Sequence, residues 1–405
     1  MSSTPFRLYG YRWVVLIGFM LAAAFNQLLW ITFAAITGPA AAYYAVPDLS
    51  IGLLSVSFLI AYLFVSLPAS WMIDTYGFRA AVGLGAVLTG VFGLVRGLVA
   101  ANYTLVLLAQ IGIAIGQPFI LNAVTKVAAR WFPVEERATA SGLGSLAIYV
   151  GILAGLVLTP YLTIQVGLPR VLLVYGAGAA VAMVIFLAVA RERPPTPPGP
   201  PEQEERARML DGLKQVLRKR EFLLLMFIFF IGLGIFNSVT TWIEDIVRPR
   251  GFTITQAGLA GGLMIAGGVL GALILPGLSD RRRRRVPFIL VALAGALPGL
   301  AGVTFASTAA LLYASAFVFG FFLLSSGPIG FQYGAEIARP TPEGTSTGLL
   351  LLMGQISGIA FIFAMDSLKV PATGSMTPSL LALTGLMVLA LLAATRLRES
   401  ALMVA

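Results

Sequence analysis

The 405 residues include no cysteine and no histidine. Without them there is no disulfide, no thiolate nucleophile, no imidazole proton relay and no Cys/His metal site, which removes most enzyme classes and any catalytic nucleophile–base cluster. Charge is scarce too: Asp, Glu, Lys and Arg make up 11% of residues, where a soluble domain carries about a quarter. The alternating-polarity segments of a membrane barrel are also missing. The chain is filled instead with apolar residues, at 58%, and its mean hydropathy is +0.92.

A helix needs roughly 20 predominantly apolar residues to cross ~30 Å of hydrocarbon. Twelve such runs separate cleanly, over 13–38, 51–73, 79–100, 103–128, 138–161, 169–190, 221–247, 255–278, 286–304, 308–334, 344–368 and 376–396. They are continuous and rich in Leu, Ala, Gly and Val, as helical spans are. The sequence therefore predicts an all-α membrane protein with twelve transmembrane helices. The first run is too long for a removable signal peptide and lacks a small-residue cleavage site.

The net charge of +10 is explained by placement, with no nucleic acid needed. With the N-terminus in the cytoplasm, one side collects Arg7, Arg12, Arg79, Lys126, Arg130, Arg137, Arg281 to Arg285, Arg339, Arg396 and Arg398. The other keeps Arg170, Arg248, Arg250 and Lys369. This positive-inside asymmetry predicts a multi-pass protein of the cell membrane with both termini cytoplasmic.

Residues 191–220 break the apolar pattern: a proline-rich start that cannot be helical, then a stretch from about residue 202 suited to a surface amphipathic helix. Six spans lie on either side. The expected domains are thus 1–190, a linker over 191–220, and 221–405. The halves echo one another. ASWMIDTYGFR with Asp74 is answered by LPGLSDRRRRR with Asp280, and PVEERATASGL ending at Leu143 by RPTPEGTSTGL ending at Leu349; both pairs are 206 residues apart. A shared register across two loops indicates two six-helix repeats.

These motifs resemble the major facilitator superfamily. Asp74, Gly77 and Arg79 match its loop motif between the second and third spans, and Gly277, Leu278, Asp280 and Arg281 its repeat between the eighth and ninth. The resemblance implies a fold of two pseudo-symmetric six-helix bundles, a monomer, and a solute site near the bilayer midplane. It also implies a cytoplasmic gate at the motif residues, with which Glu336 at the inner end of the tenth span is grouped. The alternative is that Asp74 and Asp280 simply stop transfer and sit in water.

Polar side chains inside spans are the informative ones in such a fold. Asn26, Trp30 and Phe33 share one face of the first span. Gln117 and Asn122 lie on the fourth, and Asn237 and Thr241, with Trp242 beside them, on the seventh; Gln355 is central in the eleventh. Each has a structural alternative, since a lone amide often ties helices together and Trp often anchors at the interface. No carboxylate, Lys or Arg occupies the midplane; Arg96 falls near an outer end. Proton relays need titratable groups there. A deep Trp with neutral amides suits an organic cation held on an indole face, or a small neutral polar solute. No cofactor or metal is expected.

A narrower resemblance covers nearly the whole chain, to the feline leukaemia virus subgroup C receptor-related transporters, solute carrier family 49. It rests on RWVVLIGF with Asn26 and Trp30, on LPASWMIDTYGFR, on GQPFILN leading to ARWF, and on GFQYGAEIARPTPEGTSTGLL with Gln355 six residues on. It implies facilitated diffusion of choline or ethanolamine, with haem also proposed as a substrate, and a choline pocket of Trp30, Gln117 and Gln355. Departures are Asn237 where the family often has Tyr, Gln332 where it has Glu, and Gln110 where the superfamily often has Arg. The expected function is a facilitative amine transporter; the alternative is a proton-coupled exporter of drugs, haem or other metabolites. A receptor without transport has no signalling domain to support it.

Overall fold

Twelve helices are long and apolar enough to cross a membrane in the computed structural model, which describes residues 7–196, 216–339 and 343–400. They are Tyr11–Tyr44, Asp48–Tyr76, Phe78–Leu98, Tyr103–Trp131, Thr139–Val166, Leu168–Val189, Arg220–Thr241, Ile254–Arg282, Val286–Phe305, Ala309–Ala338, Ser346–Ser367 and Thr377–Ala394, numbered here as spans one to twelve. Several outrun the apolar windows, most at the ends where polar residues continue a helix. The proline-rich segment and surface helix expected over 191–220 lie largely outside the described residues.

The chain separates into two compact units, Met1–Gln203 and Glu204–Ala405. In the first, the best-packed pairs are spans three and six, three and four, one and five, two and four, and one and six. In the second they are eight and ten, nine and ten, seven and eleven, nine and twelve, and seven and twelve. These are the same five pairings advanced by six spans, so the echo read in two loops extends to the packing of each unit. Helix starts repeat as well. Asn102 accepts from the Leu105 N–H at 3.1 Å to cap span four, and Thr308, 206 residues on, accepts from Leu311 at 3.3 Å to cap span ten.

Apolar burial gives little drive between helices in lipid, so close approach has to supply the adhesion. Spans eight and ten meet through Gly271 and Gly320; a Cβ on either would overlap the carbonyl oxygen of Phe321 or Met264. The outer surfaces carry exposed side chains such as Phe64, Leu67 and Leu273, which suit acyl chains.

Candidate solute-binding site

Span one is not continuous. Its helix ends at Ile31, passes through a short 3-10 turn at Ala34–Ile36, and resumes over Thr37–Tyr44. The amides just before this break are used inside the first unit. Asn26 Nδ2 donates to Thr89 Oγ1 at 3.0 Å and to the Ile113 carbonyl, and Gln27 Nε2 donates to Asn26 Oδ1 at 3.2 Å. Asn26, expected to face a solvated cavity, is completely buried and ties three spans together.

Accessibility separates the remaining candidates. Phe33, Thr241 and Trp242 are at most 2% exposed, whereas Trp30, Gln117 and Asn237 keep 6–8% and Gln355 is only half-buried. Phe33 gives its ring face to the Arg96 guanidinium, 5.7 Å away. Trp242 donates its indole N–H to the Ile362 carbonyl at 3.1 Å, and Thr241 Oγ1 has no partner among the described residues. Hydrogen bonding divides the amides in the same way. Gln117 and Gln355 make no side-chain hydrogen bond among the described residues, and Asn237 donates once, to the Gly354 carbonyl at 3.1 Å. Trp30 Nε1 donates to the Ser55 carbonyl at 3.3 Å, which fixes the plane of the ring against Phe58.

Two polar clusters carry more than their sequence suggested. Arg96 stands in the last turn of span three as expected, but it is fully buried. It donates to the Leu29 carbonyl at 2.9 Å and Gln110 Oε1 at 2.7 Å, so a guanidinium lies against Gln110 after all. Asn122 is a hub: it donates to Ser66 and Ser70 and accepts from Tyr62 at 2.8 Å. The i, i+4, i+8 spacing of Tyr62, Ser66 and Ser70 marks one helix face, a signal that the apolar background concealed.

The expected gate residues lie at the linker end of each unit. Asp74 pairs with Lys126 at 3.1 Å. Gly77 has φ +88°, and a Cβ there would overlap the Glu192 carboxylate, which accepts from the Arg79 N–H at 2.8 Å. In the second unit the 206-residue register holds, but the residues at the turn and at the buried arginine are not those that the motif named. The helix runs through Gly277 to Arg282 and turns at Arg283, with φ +49°, 206 residues after Gly77. Arg281 is exposed and the buried arginine is Arg285, 206 residues after Arg79. Arg285 pairs with Asp280 and, at 3.1 Å, with Glu336. Burial opposes its charge, but the hydrogen bonds it donates to these carboxylates, together with their negative charge, outweigh that and raise its pKa. Beside this network lies a cavity of about 280 Å³ lined by Lys219, Glu221, Glu336, Arg398 and Glu399.

Two repeated units of six apolar helices are the architecture of a multi-pass membrane protein. Residues 15–362 match the Major Facilitator Superfamily. Solute carrier family 49 member A3 of Danio rerio is 31% identical over 387 residues, 91% of this chain and 81% of that protein. The choline/ethanolamine transporter FLVCR1 of Felis catus is 27% identical over 382 residues, 88% of this chain and 68% of that protein. A bacterial homologue of the human lysosomal transporter Spinster shares the fold, with a TM-score of 0.79 over 98% of both chains at 16% identity. The chain belongs to the major facilitator superfamily, in its solute carrier family 49 branch.

Proposed function

We propose that the protein is a facilitative transporter of small choline- or ethanolamine-like amines, working by alternating access. The observation that carries this reading is that Gln117 and Gln355 make no side-chain hydrogen bond among the described residues, whereas Asn26, Gln110 and Asn122 spend theirs within the first unit and the Trp30 indole is held by its N–H. An indole face attracts an alkylammonium by its quadrupole, and a free amide serves a hydroxyl. Relatives named as choline/ethanolamine transporters support the same class. The absence of mid-span carboxylates in the sequence favours a uniporter over a proton-coupled carrier. Asn237 is proposed to line the path beside Gln355. The Lys and Arg bias favours cytoplasmic termini in the cell membrane and the superfamily resemblance a monomer, in which Asp74, Gly77, Arg79, Asp280 and Glu336 act as the gate. Uptake of labelled choline and ethanolamine into proteoliposomes, with and without a proton gradient, tests this; uptake that requires the gradient contradicts it.

A second reading, proton-coupled export of drugs, haem or other metabolites, draws on Glu336. Its carboxylate is buried, with Oε2 unpartnered among the described residues, beside the cavity in the second unit. A proton requirement abolished by Glu336→Gln supports that reading.

A further inference from the structure

A cation in an apolar interior normally needs a carboxylate, and Arg96 pairs with none among the described residues. Its partners are instead the oxygens at the end of a helix. The first stretch of span one ends at Ile31, so the carbonyls of its last turn lack the next N–H groups and carry the negative end of the helix dipole. The Leu29 carbonyl accepts from Arg96 at 2.9 Å and from Gln110 Nε2 at 3.3 Å. The Leu28 carbonyl accepts from Thr32 Oγ1 at 2.8 Å, and the same hydroxyl accepts from Arg96 at 3.4 Å. Phe33, just past the helix end, covers the guanidinium.

Trp30 follows Leu29 directly. Gln110 Nε2 also donates to the Leu54 carbonyl, and Trp30 Nε1 to the carbonyl of Ser55, the next residue. The turn carrying the indole is therefore held on one side by Arg96 and Gln110, and the indole itself on the other by span two. Breaking the first hold frees the backbone at Leu29 and leaves the ring tied by a single hydrogen bond.

We infer that Arg96, from span three, is a positioning residue for Trp30: with Gln110 it caps the broken first helix and so sets the orientation of the indole. The inference rests on the reading of Trp30 as the solute-contacting residue only for its functional consequence; the geometry stands by itself. The second unit offers a control. Arg250 caps another helix end, donating to the carbonyls of Val303 at 2.8 Å and Thr304 at 3.1 Å, with no part in the candidate site.

The test is 19F NMR of the full-length protein labelled with 5-fluorotryptophan, in detergent. The five resonances are assigned by single Trp→Phe substitutions. In Arg96→Gln the Trp30 resonance is expected to shift or split while those of Trp131 and Trp242 hold their positions. Arg96→Lys, which keeps the charge without the fork, should give a smaller change in the same direction. Arg250→Gln should lower the melting temperature and leave Trp30 unmoved. If Arg96→Gln does not fold, Gln110→Glu decides the matter, because it keeps an acceptor for Arg96 and removes the donors to Leu29 and Leu54. A Trp30 resonance unmoved in every folded Arg96 or Gln110 variant overturns the inference. A resonance that moves in a protein with no affinity for amines upholds it and refutes the proposed substrate instead.

Discussion

The backbone N–H of Arg79 donates to the Glu192 carboxylate at 2.8 Å. The N–H of Arg285, 206 residues further on, donates to Glu399 at 2.8 Å, and Glu399 also accepts from Val286 at 3.3 Å. In each unit a carboxylate just beyond the last helix caps the start of the third. Glu399→Ala leaves two loop N–H groups without their acceptor and is expected to cost about 1–3 kcal/mol. Glu399→Gln, which keeps one acceptor oxygen, should lose less; thermal unfolding in detergent measures both.

The two turns differ where they should be equivalent. Gly77 and Arg283 both have positive φ, but only Gly77 does so without a side-chain penalty. Gly77→Ala combines backbone strain with overlap on Glu192 and should lower the melting temperature clearly. Arg283→Gly should raise it, by about 1 kcal/mol of stability; a fall on Arg283→Gly would mean that the arginine makes a compensating contact.

Trp30 and Trp242 are alike in sequence context and unlike in setting. Trp242 is fully enclosed, so Trp242→Ala should cost about 3–5 kcal/mol as packing is lost. Trp30→Ala should cost less and instead remove solute binding. Melting temperature and transport, measured on both, separate the roles.

The amides divide in the same way. Asn122→Ala strands Tyr62, Ser66 and Ser70 and should destabilise by about 1–3 kcal/mol. Gln117→Ala and Gln355→Ala remove groups with no side-chain hydrogen bond among the described residues, so stability should fall less than in Asn122→Ala while transport falls. Transport unchanged in both glutamine variants removes them from the site.

The twelve spans were legible because hydrophobic runs of membrane length have few other readings. The 206-residue register was legible because Asp74 and Asp280 stand at the polar ends of spans two and eight, where charged residues stand out. Finer points were hidden for identifiable reasons. The break in span one falls inside a long apolar run with no charge to mark it; its trace is Gly38-Pro39, in the first turn of the helix that resumes at Thr37, a pair that a continuous span also tolerates. The five-arginine run concealed which arginine is buried, since Arg281 and Arg285 differ only in where the helix turns. Asn26 and Gln117 look alike in sequence; partners more than sixty residues away, such as Thr89 for Asn26, decide which amide is spent. Arg96 likewise draws on Leu29 and Thr32, more than sixty residues before it.

The most direct measurement is ligand-dependent thermal stabilisation of the purified protein with choline and ethanolamine, in the wild type and in Trp30→Ala. A ligand that binds the folded state raises the apparent melting temperature by mass action. The expected result is a concentration-dependent rise with an amine that disappears in Trp30→Ala, a variant that stays folded at a lower unliganded melting temperature. A rise that persists undiminished in Trp30→Ala, or no rise with any amine, contradicts an amine site at Trp30.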